Sequence, residues 1–252
     1  MSGHSKWNNI KHRKGVADAK RGKQFTKLAK EIMISAKLGG SDMTSNPRLR
    51  TAVQKARDFN VPKENIEKAI KKGAGELEGV NYEEITYEAY GPHGIAYIIE
   101  VMTDKKTRTV PELKNIFSKL GGSLGETGSV GFLFDHMGII ILEAAGLKED
   151  DLIELTLEIG AADFETNNEN EFVIKTLKEN FHAVMEELTP MAEKHGWKIL
   201  HSELQYLPKT NIDLSADEVK SNLTLIDALE SHDDVQNVYY NLSISDEALI
   251  NE

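Results

Sequence analysis

The chain has 252 residues, no cysteine and a formal net charge of −11, with a hydrophobic fraction of 40 %. This length suits one large domain or two to three small ones. The lack of cysteine excludes a disulfide framework and any thiolate metal site. No apolar run approaches the roughly 20 residues that span a bilayer. The basic start through Trp7 has no apolar segment after it, so neither a signal peptide nor a membrane partner is expected, and the chain reads as cytoplasmic.

The net charge conceals a segregation. Residues 1–75 hold 18 Lys and Arg against 6 Asp and Glu, a net of +12, whereas residues 76–252 carry −23. Such asymmetry contributes nothing to folding and points to a polyanion partner for the basic part.

Residues 1–17 include Lys6, Lys11, Arg13 and Lys14 with little apolar periodicity and read as a flexible basic arm. Phe25, Leu28, Ala29, Ile32, Met33 and Ala36 then recur at helical spacing, and Gly39 and Gly40 end that helix. Asn46 followed by Pro47 is an N-cap with proline at the first helical position, opening a helix whose apolar stripe is Leu49, Ala52, Val53 and Ala56. Pro62 opens a third helix bearing Ile66, Ala69 and Ile70, and the glycine-rich stretch 73–79 is a linker. Residues 1–77 are thus expected to form a basic helical domain.

Beyond the linker the pattern changes. Residues 85–90 and 95–101 are β-rich and joined by a turn at 91–94. Thr109, Val110, Pro111 and Glu112 have the form of a capping box, with Leu113, Ile116, Phe117 and Leu120 as the stripe of the following helix. Strands are expected at 130–134 and 139–142, a helix from about 149, strands at 163–166 and 172–175, a helix over 179–195 and a strand over 197–207. Ser215 and Glu218 form a second capping box ahead of a helix with Val219, Leu223, Ile226 and Leu229, and 235–242 is the last strand. The order β-α-β-β-α-β from 139 to 207 is a ferredoxin-like unit. The expected fold is therefore α+β and multidomain: an N-terminal helical domain, then two ferredoxin-like α/β domains, the third inserted in the second. The corresponding ranges are 1–77, 78–136 with 208–243, and 137–207.

The first helix carries the functional argument. At 100° per residue from Phe25, Lys20, Lys23, Lys27, Lys30 and Lys37 fall within roughly 120–220°, opposite the apolar face. Helices that use charge for solubility mix both signs, and here only Glu31 interrupts the lysines. In the arm, Trp7 is placed to stack on a base with Lys6, Lys11, Arg13 and Lys14 beside phosphates, or else to pack on its own domain. Arg48 and Arg50 begin the second helix, where backbone N–H groups also favour anions.

Other features carry less chemistry. The stretch 121–128 has the glycines of a phosphate loop but follows a helix and lacks Gly-Lys-Ser/Thr. The eight histidines offer no pair at ligand spacing on one expected element. The loop from Asp104 to Thr109, where a strand meets a helix, can hold an anion or simply form an exposed cap. The runs at 149–151 and 233–234 read as solvated helix ends rather than acid–base pairs. No catalytic residue, metal, cofactor or small-molecule substrate is expected.

The N-terminal block Gly3-His4-Ser5-Lys6-Trp7, Lys11-His12-Arg13-Lys14, Asp18-Ala19-Lys20-Arg21-Gly22-Lys23 and Asn46-Pro47-Arg48-Leu49-Arg50 resembles the YebC family. Tyr87-Glu88-Ala89-Tyr90-Gly91-Pro92, Phe117-Ser118-Lys119-Leu120-Gly121-Gly122 and Asp233-Asp234-Val235-Gln236-Asn237-Val238-Tyr239 extend the likeness to the last strand. One departure is Lys105-Lys106-Thr107, where the family more often has an asparagine before Arg108. That family includes PmpR-type regulators and a mitochondrial translational activator of a cytochrome oxidase subunit. The resemblance implies a helical and two α/β domains, a cytoplasmic location, and a nucleic-acid partner. His12 and Arg21 join the candidate binding residues through these stretches. Members are described as DNA-binding transcriptional regulators, and others as ribosome-associated factors that aid translation of difficult sequences such as proline runs. The residues alone fit DNA or ribosomal RNA, with the ribosome as a further partner. Lysine favours phosphate over base edges, and no recognition helix with base-reading Asn, Gln or Arg stands out. The first expectation is a DNA-binding transcriptional regulator. A ribosome-associated translation factor is the alternative, and an enzyme acting on nucleic acid is a distant third.

Overall fold

The computed structural model describes residues 21–168 and 170–244. Leu133–Thr210 forms one compact unit, and the rest of the described chain, 21–132 and 211–244, forms the other. Three apolar cores are distinct in these residues.

Helices α1 (Arg21–Gly39), α2 (Pro47–Asp58) and α3 (Lys63–Gly73) bury Leu28, Ile32, Ala36, Leu49, Val53, Ala56 and Ile66 together, on the stripes that their spacing predicts. Asn46 ties α1 to α2. Its side-chain oxygen accepts from the Leu49 amide at 3.0 Å while its Nδ2 donates to the carbonyls of Ser35 and Gly40, each at 2.8 Å. A Cβ at Gly73 would lie 2.2 Å from the Met33 carbonyl oxygen, so glycine there lets α3 close on α1.

The hairpin β1 (Glu83–Tyr90) and β2 (Ala96–Thr103) follows, as expected. Helix α4 (Lys106–Lys119) starts three residues before the capping box predicted at Thr109. Thr109 is buried in its first turn, and its hydroxyl is turned to Asp234 rather than to a cap. A two-residue strand, β3 (Ser123–Leu124), pairs with β1. The strand expected at 130–134 is not formed. Residues Gly131–Leu133 make a 3-10 turn because the amides of Gly128, Val130 and Gly131 all donate to the Glu88 carboxylate.

Within Leu133–Thr210 come β4 (Phe134–Glu143), α5 (Glu149–Glu158), β5 (Asp163–Asn168), β6 (Glu171–Leu177), α6 (Phe181–His195) and β7 (Lys198–Pro208). The sheet order β5-β6-β4-β7, antiparallel throughout, is the ferredoxin-like arrangement. Ile140, Leu142, Phe172 and Ile174 pack against Leu152, Leu155, Phe181, Val184 and Leu188 of the two helices. Pro190 sits inside α6 without breaking it.

The chain then returns through β8 (Ile212–Asp213), α7 (Ala216–Glu230), β9 (Val235–Tyr240) and β10 (Leu242–Ser243). The capping box at Ser215 and Glu218 forms as expected. The second sheet has the order β3-β1-β2-β9, again antiparallel, with α4 and α7 burying Leu113, Phe117, Leu225 and Leu229 on one face. It shares the two-layer build of the inserted unit but is threaded ββαβ, then αβ after the insertion. Among the described residues no helix is long and apolar enough to cross a membrane.

Candidate nucleic-acid interface

The polar face of α1 lies where helical spacing puts it, opposite the helical core, and its described lysines reach partners elsewhere in the chain. Lys23 Nζ donates to the Ser231 carbonyl at 2.7 Å and lies 3.8 Å from the Asp233 carboxylate. Lys27 Nζ donates to the Glu230 carbonyl at 3.0 Å. Lys30, only 4 % exposed, donates to the carbonyls of Met102 (3.2 Å) and Asp233 (2.9 Å) and to Asp234 Oδ1 at 2.9 Å. Its Nζ also sits 5.1 Å from the Tyr82 ring centroid. Lys37 donates to Asn81 Oδ1 at 2.6 Å and to the Tyr82 carbonyl at 3.3 Å. Lys23, Lys27, Lys30 and Lys37 of the stripe expected to face nucleic acid thus all have partners within the chain. The stripe is the seam by which the helical bundle meets the β1–β2–β9 sheet and the end of α7, and Lys30 is not at the surface.

The physical reason is the end of α7. That helix carries no basic residue in its last turn, so its terminal carbonyls and the negative end of its dipole want cations from elsewhere. Lysines spaced i, i+4 and i+7 on α1 supply them. A sequence signal was present: Ile34 falls in the middle of the lysine stripe, at about 180° from Phe25, and is 3 % exposed. An isoleucine there marks a face with a second neighbour.

Asp234 is the centre of this seam and was missed, having been read as a solvated helix end. It is 4 % exposed. Lys30 holds one oxygen. Arg108 at 2.8 Å, Thr109 at 2.8 Å and Thr103 at 3.2 Å hold the other. Burial pushes the carboxyl up, but hydrogen bonds from Arg108, Lys30 and Thr109 outweigh it and hold it well below the usual carboxylate range. Arg108 also reaches Asp104 at 2.9 Å, so the Asp104 to Thr109 loop belongs to the same hub.

Glu112, His232 and Asp234 place ligand atoms within 4.8 Å of one another. His232 Nδ1 accepts the Asp234 amide, and Nε2 meets Glu112 at 3.0 Å. With both Asp234 oxygens committed to cations and hydroxyls, this grouping fits the hub rather than a cation site.

Arg48 and Arg50 are committed as well. Arg48 bonds Glu31 through Nε at 3.0 Å and forks onto Glu84, with Nη1 to Oε2 at 3.0 Å. Glu31, the one acid in the lysine stripe, is thus an arginine partner. Arg50 Nη1 donates to the Met43 carbonyl at 3.0 Å. At the end of the glycine-rich stretch 121–128 the Gly128 amide donates to the Glu88 carboxylate at 2.7 Å, and those of Val130 and Gly131 just beyond it do so at 2.6 Å. Burial raises the Glu88 carboxyl, but these three donors hold it below the usual carboxylate range.

In the inserted unit, the β4 and β6 positions facing away from the helices include Ile139, Ile141, Val173 and Lys175, and none is aromatic. The base-stacking platform by which some four-stranded α/β folds hold RNA is absent from these two strands.

Exposed cations of the helical bundle include Arg57 on α2 and Lys63, Lys68 and Lys71 on α3, with Lys63 3.6 Å from Glu67. Lys6, Trp7, Lys11, His12, Arg13, Lys14 and Lys20 lie outside the described residues, and Arg21 is described only as the first residue of α1.

Comparison with known proteins gives one answer along the whole chain. Residues 5–76 match the model of the TACO1/YebC protein N-terminal domain, and 82–242 match that of the TACO1/YebC second and third domain. A probable transcriptional regulatory protein from Dictyoglomus turgidum is 50 % identical over 250 residues, covering 99 % of this chain and 98 % of that one. One of the same description from Thermoanaerobacter pseudethanolicus is 51 % identical over 248 residues, covering 98 % and 99 %. The crystal structure of a conserved hypothetical protein from Aquifex aeolicus is 40 % identical with a TM-score of 0.78, covering 91 % of this chain and 93 % of that one.

Proposed function

Because the chain belongs to the TACO1/YebC family, we propose that it is a nucleic-acid-binding regulator of gene expression, acting in the cytoplasm on transcription through DNA and not as an enzyme. The observation that carries this reading is the charge segregation, +12 over residues 1–75 against −23 over the remainder. The names of its relatives, probable transcriptional regulatory proteins, support it. The contact surface combines Lys6, Lys11, Arg13, Lys14 and Lys20, with His12, Arg21 and Trp7, and the outward cations of α2 and α3. Those residues suit phosphates better than base edges.

The test is a titration of the full chain with two unrelated DNA duplexes, and with ribosomes, at rising salt. Each phosphate neutralised contributes about −0.9 to the slope of log K against log salt, so about five contacts give a slope of roughly −4 to −5. A flat response on every substrate overturns the reading. Binding confined to ribosomes replaces transcription with translation as the process regulated.

A further inference from the structure

Glu230, Ser231 and Asp233 offer their backbone carbonyls, and Asp233 and Asp234 their carboxylates, to three lysines of one helix face. A row of closely spaced oxygens facing a lysine stripe is also what a phosphate backbone presents. We propose that the turn 230–234 is an internal polyanion mimic that masks the lysine face of α1, and that nucleic acid competes with it for the same cations. The proposal rests on the nucleic-acid reading above.

Three observations make the mask separable. The helical core and the core of the β3-β1-β2-β9 sheet share no residue, and the hydrogen bonds and ion pairs of Lys23, Lys27, Lys30, Lys37 and Arg48 are polar links between them. Interfaces of that kind between domains favour relative motion over rigid union. Opening also leaves Asp234 with partners, since Arg108, Thr109 and Thr103 stay on its second oxygen. Lys30 would exchange one anion for another. Finally the seam is graded. The Lys23 side chain is 52 % exposed and its partner Asp233 77 %, so a polyanion can engage the outer lysine before the buried one.

The experiment is hydrogen exchange on the full chain, alone and with a saturating DNA duplex of about 20 base pairs. The amides of Ser231, His232 and Val235, which donate to the carbonyls of Asp227, Leu229 and His232, should exchange several-fold faster with duplex bound. Unchanged or slower exchange in a chain that binds the duplex overturns the mask and leaves the nucleic-acid reading intact. A second arm measures duplex affinity of Asp234→Asn, with its melting curve. Weakening the mask should tighten binding several-fold, because less of the chain is held in the closed form that duplex must displace. If that variant does not fold, Asp233→Asn serves, with a smaller gain in the same direction. Equal or weaker binding by the folded variant sinks the mask. No binding by either the parent or the variant overturns both readings, and binding by the variant alone supports the mask.

Discussion

The lysine face of α1 and the outer face of α3 look alike in sequence and differ in kind. Lys23, Lys27 and Lys30 repeat at i, i+4 and i+7, and Lys68, Lys71 and Lys72 at i, i+3 and i+4, each opposite an apolar stripe. On α1 the cations are taken up by Glu230, Ser231, Asp233 and Asp234. On α3 Lys68 and Lys71 are exposed, and they sit in the last turns of a helix that they complement. Periodicity places charge on a face; it does not say whether that face meets water or a second part of the chain. What separates the two cases is Ile34, for which α3 has no counterpart among its lysines.

The sharpest way to break this contrast is through stability. Lys30→Met removes one partner of a pair whose side chains are each 5 % exposed. Losing one member of a buried ion pair costs about 3–5 kcal/mol where the other charge is left unpaired, and because Arg108 stays on Asp234 the loss should fall at the lower end of that range. The same change at Lys68 should fall within about 0.5 kcal/mol of the parent. Urea unfolding of both variants checks this. Equal, small losses would mean that the α1 seam is as weak as a surface pair. It also follows that reversing Lys23, Lys27 and Lys30 together is not a surface change and should compromise the fold.

Acid should act on the first region and not the second. The folded Asp234 carboxyl is depressed relative to its unfolded value, near 3.9 for an ordinary aspartate. A depressed carboxylate contributes stability that is fully present above the unfolded value and lost as pH falls below it towards the folded one. Unfolding free energy should therefore decline below about pH 4, and Asp234→Asn should flatten that decline. An acid limb unchanged by the substitution would assign it to other carboxylates, Glu88 first among them.

How the helical bundle stays together offers an intermediate effect. Asn46→Ala removes a cap and two further bonds to Ser35 and Gly40. A cap is worth about 1 kcal/mol, up to about 2. The loss should appear as a lower melting temperature; a variant melting with the parent would make the Asn46 bonds dispensable.

Much of the fold was legible because it is locally encoded. The apolar stripes of α1, α2 and α3, the cap at Asn46, the hairpin and the β-α-β-β-α-β order each depend on neighbours in sequence. The errors share one cause. The start of α4 was misplaced because the Thr109 hydroxyl is turned to Asp234, 125 residues away. The strand at 130–134 was lost to Glu88, some 40 residues back. Asp234 itself gave no sign, since nothing near it in sequence reveals Lys30 or Arg108 opposite. The candidate site was readable as charge and unreadable as geometry, because partners at such separations leave no local pattern.

The smallest effect on stability carries the most about function. Lys68→Glu with Lys71→Glu alters two exposed cations, and surface charges contribute about 0–1 kcal/mol. The pair should melt close to the parent, unlike any change at Lys30. If the outer face of α3 touches phosphates, the same pair should bind both unrelated duplexes more weakly and to a similar extent. A phosphate contact carries no sequence information, and its loss lowers the steepness of the salt slope by about one. Two lost contacts should therefore flatten the slope by about two while leaving sequence preference alone. A loss confined to one duplex would mean that these lysines read bases. Unchanged binding would remove α3 from the interface, and its lysines would then serve only the end of their own helix.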